Sequence, residues 1–519
     1  MNKKNIIRLL LCLFLLNVQT AVFSKDQKRP NFLICISDDQ SYPHTSFNGD
    51  PVVKTPHFDR VAREGVAFTN MFCNAPSCAP SRGAMLTGRN IYELEEASIL
   101  QGAFPAKFKT YQEILWQNGY YTGFVGKGSP GEWAILGREF CPGGIPYSVS
   151  VIKEKGKSKK ISKKDYPTAF KNFLSDRKAG QPFSFIFATS DPHRPYDVGS
   201  GVRSGMDITK VKVPGFMPDT PGIRSDLCDY FYEIQKFDSD IGEMLKTLED
   251  IGELDNTVVI ITSDNGMPFP GGAKCTLYDM GTRMPFAVRY PPLIEPNRHV
   301  DDLATLAEIC PTILEIAGIE PHDEISVKGL TNLLKSKDSG RIDPTREFIV
   351  TALEVHGSPN PKRMIRTHDY LYIINLNQDK TNAETSSKSI SPSSKLMTDG
   401  QHYTLREYLT EFRNEPSVSK YAKRAFGKRP AEELYNCIED PFHWNNLAET
   451  QPEKKQILHE KLIDYLKNTG DPRYTDAPVL FESYLYEPKW KDDDPKITKQ
   501  RKKQILKNMK KEQKKRVQG

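Results

Sequence analysis

Two apolar runs with the same ending constrain this chain most. Asn31-Phe32-Leu33-Ile34-Cys35-Ile36-Ser37 closes on Asp38-Asp39, and Val258-Val259-Ile260-Ile261-Thr262-Ser263 closes on Asp264-Asn265. An unbroken apolar run bounded by polar residues is the pattern of a strand covered on both faces of a parallel sheet. Open α/β sheets place their sites beyond the carboxyl ends of such strands. Either polar pair alone reads as a turn or a helix cap. Together they offer four oxygen ligands, a set suited to a hard divalent cation such as Ca²⁺ or Mg²⁺.

Between the two runs lies Cys78-Ala79-Pro80-Ser81-Arg82, followed by Gly83-Ala84-Met85-Leu86-Thr87-Gly88. Pro80 suits a first helical position, where its missing N–H is not needed, so a helix is predicted to start here. Cys78 then sits at the positive end of the helix dipole, where anions bind and nucleophiles are activated. Arg82, one turn on, can face the same side and neutralise developing negative charge. Taken alone, the pentapeptide reads as a buried Cys beside a helix start. Its place between two matching acidic strand ends makes it a candidate site.

The rest of residues 31–330 alternates strand and helix signals. Strands are expected at 121–125, 183–188 and 258–262, and helices at 57–64, 111–118 and 227–250. In the last, Phe231, Ile234, Phe237, Ile241, Leu245 and Leu248 recur at helical spacing, as in a packing helix. The expected fold is α/β: a large mixed, mostly parallel sheet sandwiched by helices, with a smaller C-terminal α+β domain. Strands at 347–353 and 370–376 begin the smaller sheet, and the Ser/Lys/Asn/Thr-rich stretch 377–400 reads as a surface insertion. The basic stretch 153–164 reads as an exposed loop.

At 519 residues the chain exceeds one compact core, and 38% hydrophobic with 27% charged residues fits a soluble globular protein. Residues 1–24 carry Lys3, Lys4 and Arg8, then an apolar stretch at 9–16, the pattern of a cleavable signal peptide cut near Ser24. No other run is long enough for a transmembrane anchor, so a periplasmic or secreted location is expected. The expected divisions are signal peptide 1–24, catalytic domain 25–345, C-terminal subdomain 346–488 and basic tail 489–519. The formal charge of +6 misleads. The tail holds thirteen Lys or Arg against four Asp or Glu, and the leader adds three positive charges, so the body is net negative. The tail reads as a solvated helix or disordered end, open to an acidic polysaccharide or membrane surface. It lacks the aromatic interleaving of nucleic-acid binders. The nine cysteines fit neither a disulfide framework nor a zinc site in number and spacing.

With these motifs the chain resembles the type I sulfatases of the alkaline-phosphatase superfamily, over about residues 30–330 and again near 432–448. The resemblance implies that a separate formylglycine-generating or sulfatase-maturing enzyme oxidises Cys78 to formylglycine, whose hydrate is the nucleophile. It implies one Ca²⁺ per chain, with Mg²⁺ as the alternative, held by Asp38, Asp39, Asp264, Asn265 and the modified Cys78. Gly126-Lys127 matches the family's Gly-Lys pair, and Asp191-Pro192-His193-Arg194-Pro195 its His-containing loop. Lys274 matches the lysine that precedes Tyr278 and the run Gly281-Thr282-Arg283-Met284-Pro285. Arg82, Lys127, His193 and Lys274 are thereby the implied catalytic residues beside Cys78. His44, Arg194 and His356 are candidate substrate contacts, an ordinary surface histidine being the alternative for His44 and His356 and a structural role the alternative for Arg194.

One position departs from the family. Ser129 stands where a histidine usually follows the Gly-Lys lysine by two residues. That histidine is the family's usual base for releasing sulfate; water, a neighbouring side chain or His44 are its possible substitutes. Within the family, 213–221 and 263–270 are most similar to heparan N-sulfatase (sulfamidase)-like enzymes. The expected function is an exported sulfatase that hydrolyses sulfate esters, or N-sulfate, of a sulfated polysaccharide or its oligosaccharides, glycosaminoglycan-like or algal such as ulvan. The alternatives are a phosphodiesterase or phosphonate monoester hydrolase of the same superfamily, and a catalytically impaired sulfated-glycan binding protein.

Overall fold

A computed structural model describes residues 28–100, 102–134, 137–152, 163–379, 404–476, 481 and 495–518. The expected signal peptide lies outside these residues, as do 380–400 of the expected insertion and 153–162 of the basic stretch.

The central sheet has eight strands: β1 (Asn31–Ser37), β2 (Val66–Phe68), β3 (Tyr121–Gly126), β4 (Ile145–Tyr147), β5 (Phe183–Ala188), β6 (Thr257–Ser263), β7 (Phe286–Arg289) and β8 (Arg298–Val300). Their order is β8-β2-β7-β6-β1-β5-β3-β4. Only β7 runs against its neighbours, β2 and β6; every other pair is parallel. β1 and β6 are buried along their whole length, which is why their sequences show no polar alternation.

Helices cover the sheet. Thr220 caps the helix Pro221–Asp250 by accepting from the Ile223 amide at 3.3 Å, and Pro221 occupies its first turn. The six apolar residues read at helical spacing are all buried on it. The other expected helices appear as Pro56–Arg63 and Tyr111–Gln117.

A second, antiparallel sheet follows: β9 (Phe348–His356), β10 (Ser358–Thr367), β11 (Tyr370–Asn375) and β12 (Glu432–Asn436), in that order. β10 escaped the sequence reading because Ser358-Pro359-Asn360-Pro361-Lys362-Arg363 has neither alternation nor β-branched residues; its charges are satisfied internally. Arg363, fully buried, donates to Glu354 and Asp471 at 2.5 Å each. The second sheet is packed into the main core: Val350, Ile365, Tyr372 and Leu434 share one buried cluster with β1 and β6.

Two basic segments are more ordered than a solvated reading allows. Lys163–Asp165 pairs antiparallel with Ser150–Ile152 instead of looping free. Residues Pro495–Gln518 form a helix whose Ile505 and Met509 are buried. Hydrophobic residues spaced by four on an otherwise basic helix were the overlooked signal.

Candidate active site

Strand register assembles the site. Ser37 pairs with Ser263, so Asp38 and Asp39 leave β1 at the level where Asp264 and Asn265 leave β6. Asp39 adopts a left-handed backbone (φ 77°), which aspartate tolerates better than most residues, and its amide donates to Asp264 Oδ1 at 3.1 Å. On the other flank, Ile36 pairs with Ala188, and Ala188 with Gly126. Gly126 has φ +75°, and a Cβ there would lie 2.0 Å from the Ala188 carbonyl oxygen. Glycine therefore lets β3 turn directly into Lys127.

Cys78 opens the helix Cys78–Thr87, with Ser77 at the position before its first turn. Pro80 stands third in this helix rather than first, still within the turn whose amides need no intrahelical acceptor. Ser81 Oγ donates to the Asp264 carbonyl at 2.6 Å and locks the helix to the end of β6. The sequence reading gave Ser81 no role; its position inside the pentapeptide was the available signal. The Ser77 hydroxyl does not cap its own helix; it pairs with His356 Nδ1 at 2.8 Å.

The ligand atoms of Asp38, Asp39, Cys78 and Asp264 all lie within 4.8 Å of one another. The Cys78 thiol is 3.3 Å from Asp38 Oδ1 and 3.7 Å from Asp39 Oδ1. Cations ring this cluster. Lys274 Nζ donates to Asp39 Oδ1 at 2.6 Å and Oδ2 at 2.8 Å, and lies 3.3 Å from Cys78 Sγ. Arg82 Nε donates to Asp264 Oδ2 at 2.8 Å, and Lys127 Nζ donates to Asp38 Oδ2. Lys274 is buried, while the Lys127 side chain is 42% exposed.

The charges shape protonation. Burial works to raise the Asp38 carboxyl, but Lys127, His193, Arg82 and Lys274 outweigh it and hold it ionised. Burial and the neighbouring Asp264 and Asp38 push the Cys78 thiol well above its ordinary value, so the unmodified thiol is a poor nucleophile. Burial and Lys274 push the His193 imidazole down. Its Nδ1 faces the Arg194 carbonyl at 2.6 Å, a contact that assigns the proton to Nδ1 and leaves Nε2 bare, 3.9 Å from Asp39 Oδ2. Burial, Lys274 and His193 together push His356 down to about 3.

The donor set fits a hard cation. Asn265 gives its Nδ2 to Asp39 Oδ1 at 2.7 Å, yet its buried Oδ1 has no hydrogen-bond partner among the described residues. An orphaned buried carbonyl beside three buried carboxylates is an oxygen donor set suited to a hard cation.

Asp38, Asp39, Cys78, Arg82, Lys127, His193, Asp264, Asn265 and Lys274 thus come together at one end of the sheet. The candidate substrate contacts are arranged differently. The His44 ring is buried and held by Asp50 at 3.1 Å and by the rings of Tyr230 and Phe231. Arg194 is buried between the rings of Tyr196 and Phe269, paired with Asp226 at 2.8 and 2.5 Å. His356 lies behind Ser77, the residue before the candidate nucleophile. Ser129, half-buried on the loop after Lys127, brings no imidazole to the site. All eight described cysteines are free, and no helix among the described residues is long and apolar enough to cross a membrane.

The chain is similar to known sulfatases. The sulfatase family profile matches residues 30–319, and that of the N-sulphoglucosamine sulphohydrolase C-terminal region matches 273–393. The N-sulphoglucosamine sulphohydrolase of Homo sapiens is 28% identical over 491 residues, spanning 85% of this chain and 91% of that protein. An ulvan-active sulfatase of Formosa agariphila is 26% identical over 473 residues, spanning 86% of this chain and 81% of the relative. A solved structure in complex with its substrate D-glucosamine-2-N,6-O-disulfate shares the fold at a TM-score of 0.63 and 20% identity, covering 87% of this chain and 99% of that one. The profile match spans more than half of the sequence and includes the paired strand ends and the cysteine helix, so the chain belongs to the sulfatase family and is a sulfuric ester hydrolase.

Proposed function

We propose that this protein removes sulfate, as O-ester or N-sulfate, from a sulfated carbohydrate. The substrate is a glycosaminoglycan-like or algal chain such as ulvan, or its oligosaccharides, and the enzyme acts after export to the periplasm or exterior. The observation that carries the proposal is the convergence of three carboxylates and the orphaned Asn265 oxygen on Cys78, inside a ring of Arg82, Lys127 and Lys274. The human relative's name and the solved substrate complex both point to N-sulfated glucosamine, and the Formosa relative to ulvan.

Asp38, Asp39, Asp264, Asn265 and the modified residue 78 would hold the divalent ion, Ca²⁺ or Mg²⁺. When bound, the ion supplies Lewis acidity towards a sulfate oxygen, and formylglycine supplies a hydrated aldehyde as nucleophile. Arg82, Lys127 and Lys274 are placed to stabilise negative charge on sulfate oxygens, as preorganised charges do in phosphoryl transfer. Arg82 and Lys274 need no reorganisation, because buried carboxylates already fix them. Lys274 Nζ holds a transferable proton at rest and His193 Nε2 does not. Lys274 is therefore a resting donor to the leaving oxygen or nitrogen, while bare His193 Nε2 must take a proton before it can give one. With Ser129 in place of the family histidine and His44 tied to Asp50, the bare Nε2 of His193 is the imidazole nitrogen left to serve as base.

The test has two steps. Mass spectrometry of the Cys78 peptide, from a host containing a sulfatase-maturing enzyme, should show a carbonyl in place of the thiol. Sulfate release from sulfated mono- and oligosaccharides is then measured beside phosphate release from matching esters. No release from any sulfated substrate, with the carbonyl present, sinks the proposal. Faster phosphate release would favour the phosphodiesterase or phosphonate hydrolase reading, and an unmodified thiol the glycan-binding one.

A further inference from the structure

The C-terminal helix carries a cationic ladder that the catalytic site does not use. In Pro495–Gln518, Lys499, Lys503, Lys507, Lys511 and Lys515 recur at strict i, i+4 spacing, and all five are exposed. At about 1.5 Å rise and about 100° per residue they form a stripe about 24 Å long, ~6 Å apart along the axis, that winds about 40° around the helix from one lysine to the next. None of the five makes an ion pair among the described residues. Successive like charges at this spacing repel, so the row costs helix stability unless something anionic compensates it.

The opposite face is anchored to the catalytic domain. Ile505, Met509 and Gln513 are buried, the Cys141 amide donates to Met509 Sδ at 3.5 Å, and Gln513 Nε2 donates to Gln181 at 3.2 Å. Lys502 turns inward to pair with Glu132 at 2.7 Å and lies over the Trp133 ring. The lysine row therefore stands on a fixed platform. Its anchors Glu132, Trp133 and Cys141 belong to the segment that leads from Lys127 to the edge strand β4.

We infer that this row is an ancillary docking surface for a sulfated polysaccharide, holding a polyanionic chain on the enzyme apart from the sulfate being removed. The inference rests on the proposed carbohydrate substrate. Charge complementarity selects the occupant: a regular line of ammonium groups fits a regular line of sulfates. A lipid surface fits less well, because a membrane-lying helix needs its apolar face free and here that face is buried in the protein. Single-stranded nucleic acid fits less well because residues 495–518 contain no aromatic side chain on which bases could stack.

The full chain and the variant K499Q/K503Q/K507Q/K511Q are compared on immobilised heparin, immobilised ulvan and anionic phosphatidylserine vesicles. The variant changes only outward lysines, and equal melting temperatures show that the helix stays docked. Salt-dependent affinity for the sulfated polymers should lose about one unit of log–log slope per lysine replaced. KM on sulfated polymer should rise by about tenfold while KM and kcat on a sulfated monosaccharide stay unchanged. Unchanged polymer affinity in the variant overturns the inference, as does vesicle binding that exceeds polymer binding. The two proposals separate cleanly: polymer retention without sulfate release fails only the proposed function, and monosaccharide turnover without polymer retention fails only the docking surface.

Discussion

Ser37 and Ser263 face each other across the parallel strands β1 and β6, and that register brings Asp38 and Asp39 level with Asp264. A slip of one residue would turn either pair of side chains to the opposite face. The cluster is thus a product of the sheet, and within it the Asn265 Oδ1 has no hydrogen-bond partner among the described residues. Chelation should abolish activity and lower the melting temperature, and Ca²⁺ should restore both. At a hundredfold excess over Kd the ion should add about 2.7 kcal/mol of stability. Asp39→Asn should erase most of that increment in a calorimetric titration. Full activity in excess chelator would contradict the assignment.

Lys274 and Lys127 each sit on a carboxylate of the cluster but differ in burial. Lys274 is fully buried against Asp39, so Lys274→Ala leaves an uncompensated buried charge. In chelator it should cost about 3–5 kcal/mol. Lys127 is 42% exposed, and solvent can replace it at Asp38; Lys127→Ala should cost about 1 kcal/mol or less. Both should lower kcat by about 10²–10³. Denaturant unfolding beside steady-state kinetics separates the two effects, and equal stability losses would refute the burial argument.

The core of this candidate site was legible because its candidate ligands come from the ends of two strands buried on both faces, which leave an apolar run with an abrupt polar end. Lys127 and Lys274 carry no such local mark. They reach the cluster through loops and were placed only by resemblance to the sulfatases. The candidate contacts His44 and Arg194 show what a one-dimensional reading misses. Asp50 and Asp226 take up their side chains, and nothing in the local sequence announces either partner. The tail was half legible: its charge was plain, but Ile505 and Met509, thinly spread among lysines, gave too weak a period to announce docking.

Arg194 offers a direct check of that point. Its guanidinium forks onto Asp226 while stacked 4.5 Å from Tyr196 and 4.6 Å from Phe269, all of it buried. Arg194→Lys keeps the charge but loses the bidentate geometry and the stacking. It should destabilise the protein by about 2 kcal/mol and leave KM unchanged at temperatures where it stays folded. A raised KM with unaltered stability would return Arg194 to the substrate.

His443 should give the protein an acid sensitivity separate from catalysis. Its ring is buried, stacked on Tyr278 with centroids 5.5 Å apart, and its Nε2 has no hydrogen-bond partner among the described residues. Burial, aided by Arg366 and Arg424 and opposed by Asp279, pushes the imidazole down to about 4 from an ordinary 6.5. Between those two values the unfolded chain carries a proton that the folded chain refuses. Acidification therefore favours unfolding: the stabilisation is fully present above pH 6.5, falls by about 1.4 kcal/mol per pH unit as pH drops, and stops changing below about 4. Other groups titrate in the same window, so the readout is the difference between two chains. The natural partner is His443→Asn, because residue 443 has φ 56°, a left-handed conformation that asparagine accepts. Denaturant unfolding from pH 7 to 4.5 should show parallel curves for the two chains above pH 6.5 and a shallower fall for the variant below it. Curves that stay parallel throughout would mean that His443 accepts its proton in the folded protein, and that the pocket behind Tyr278 admits water.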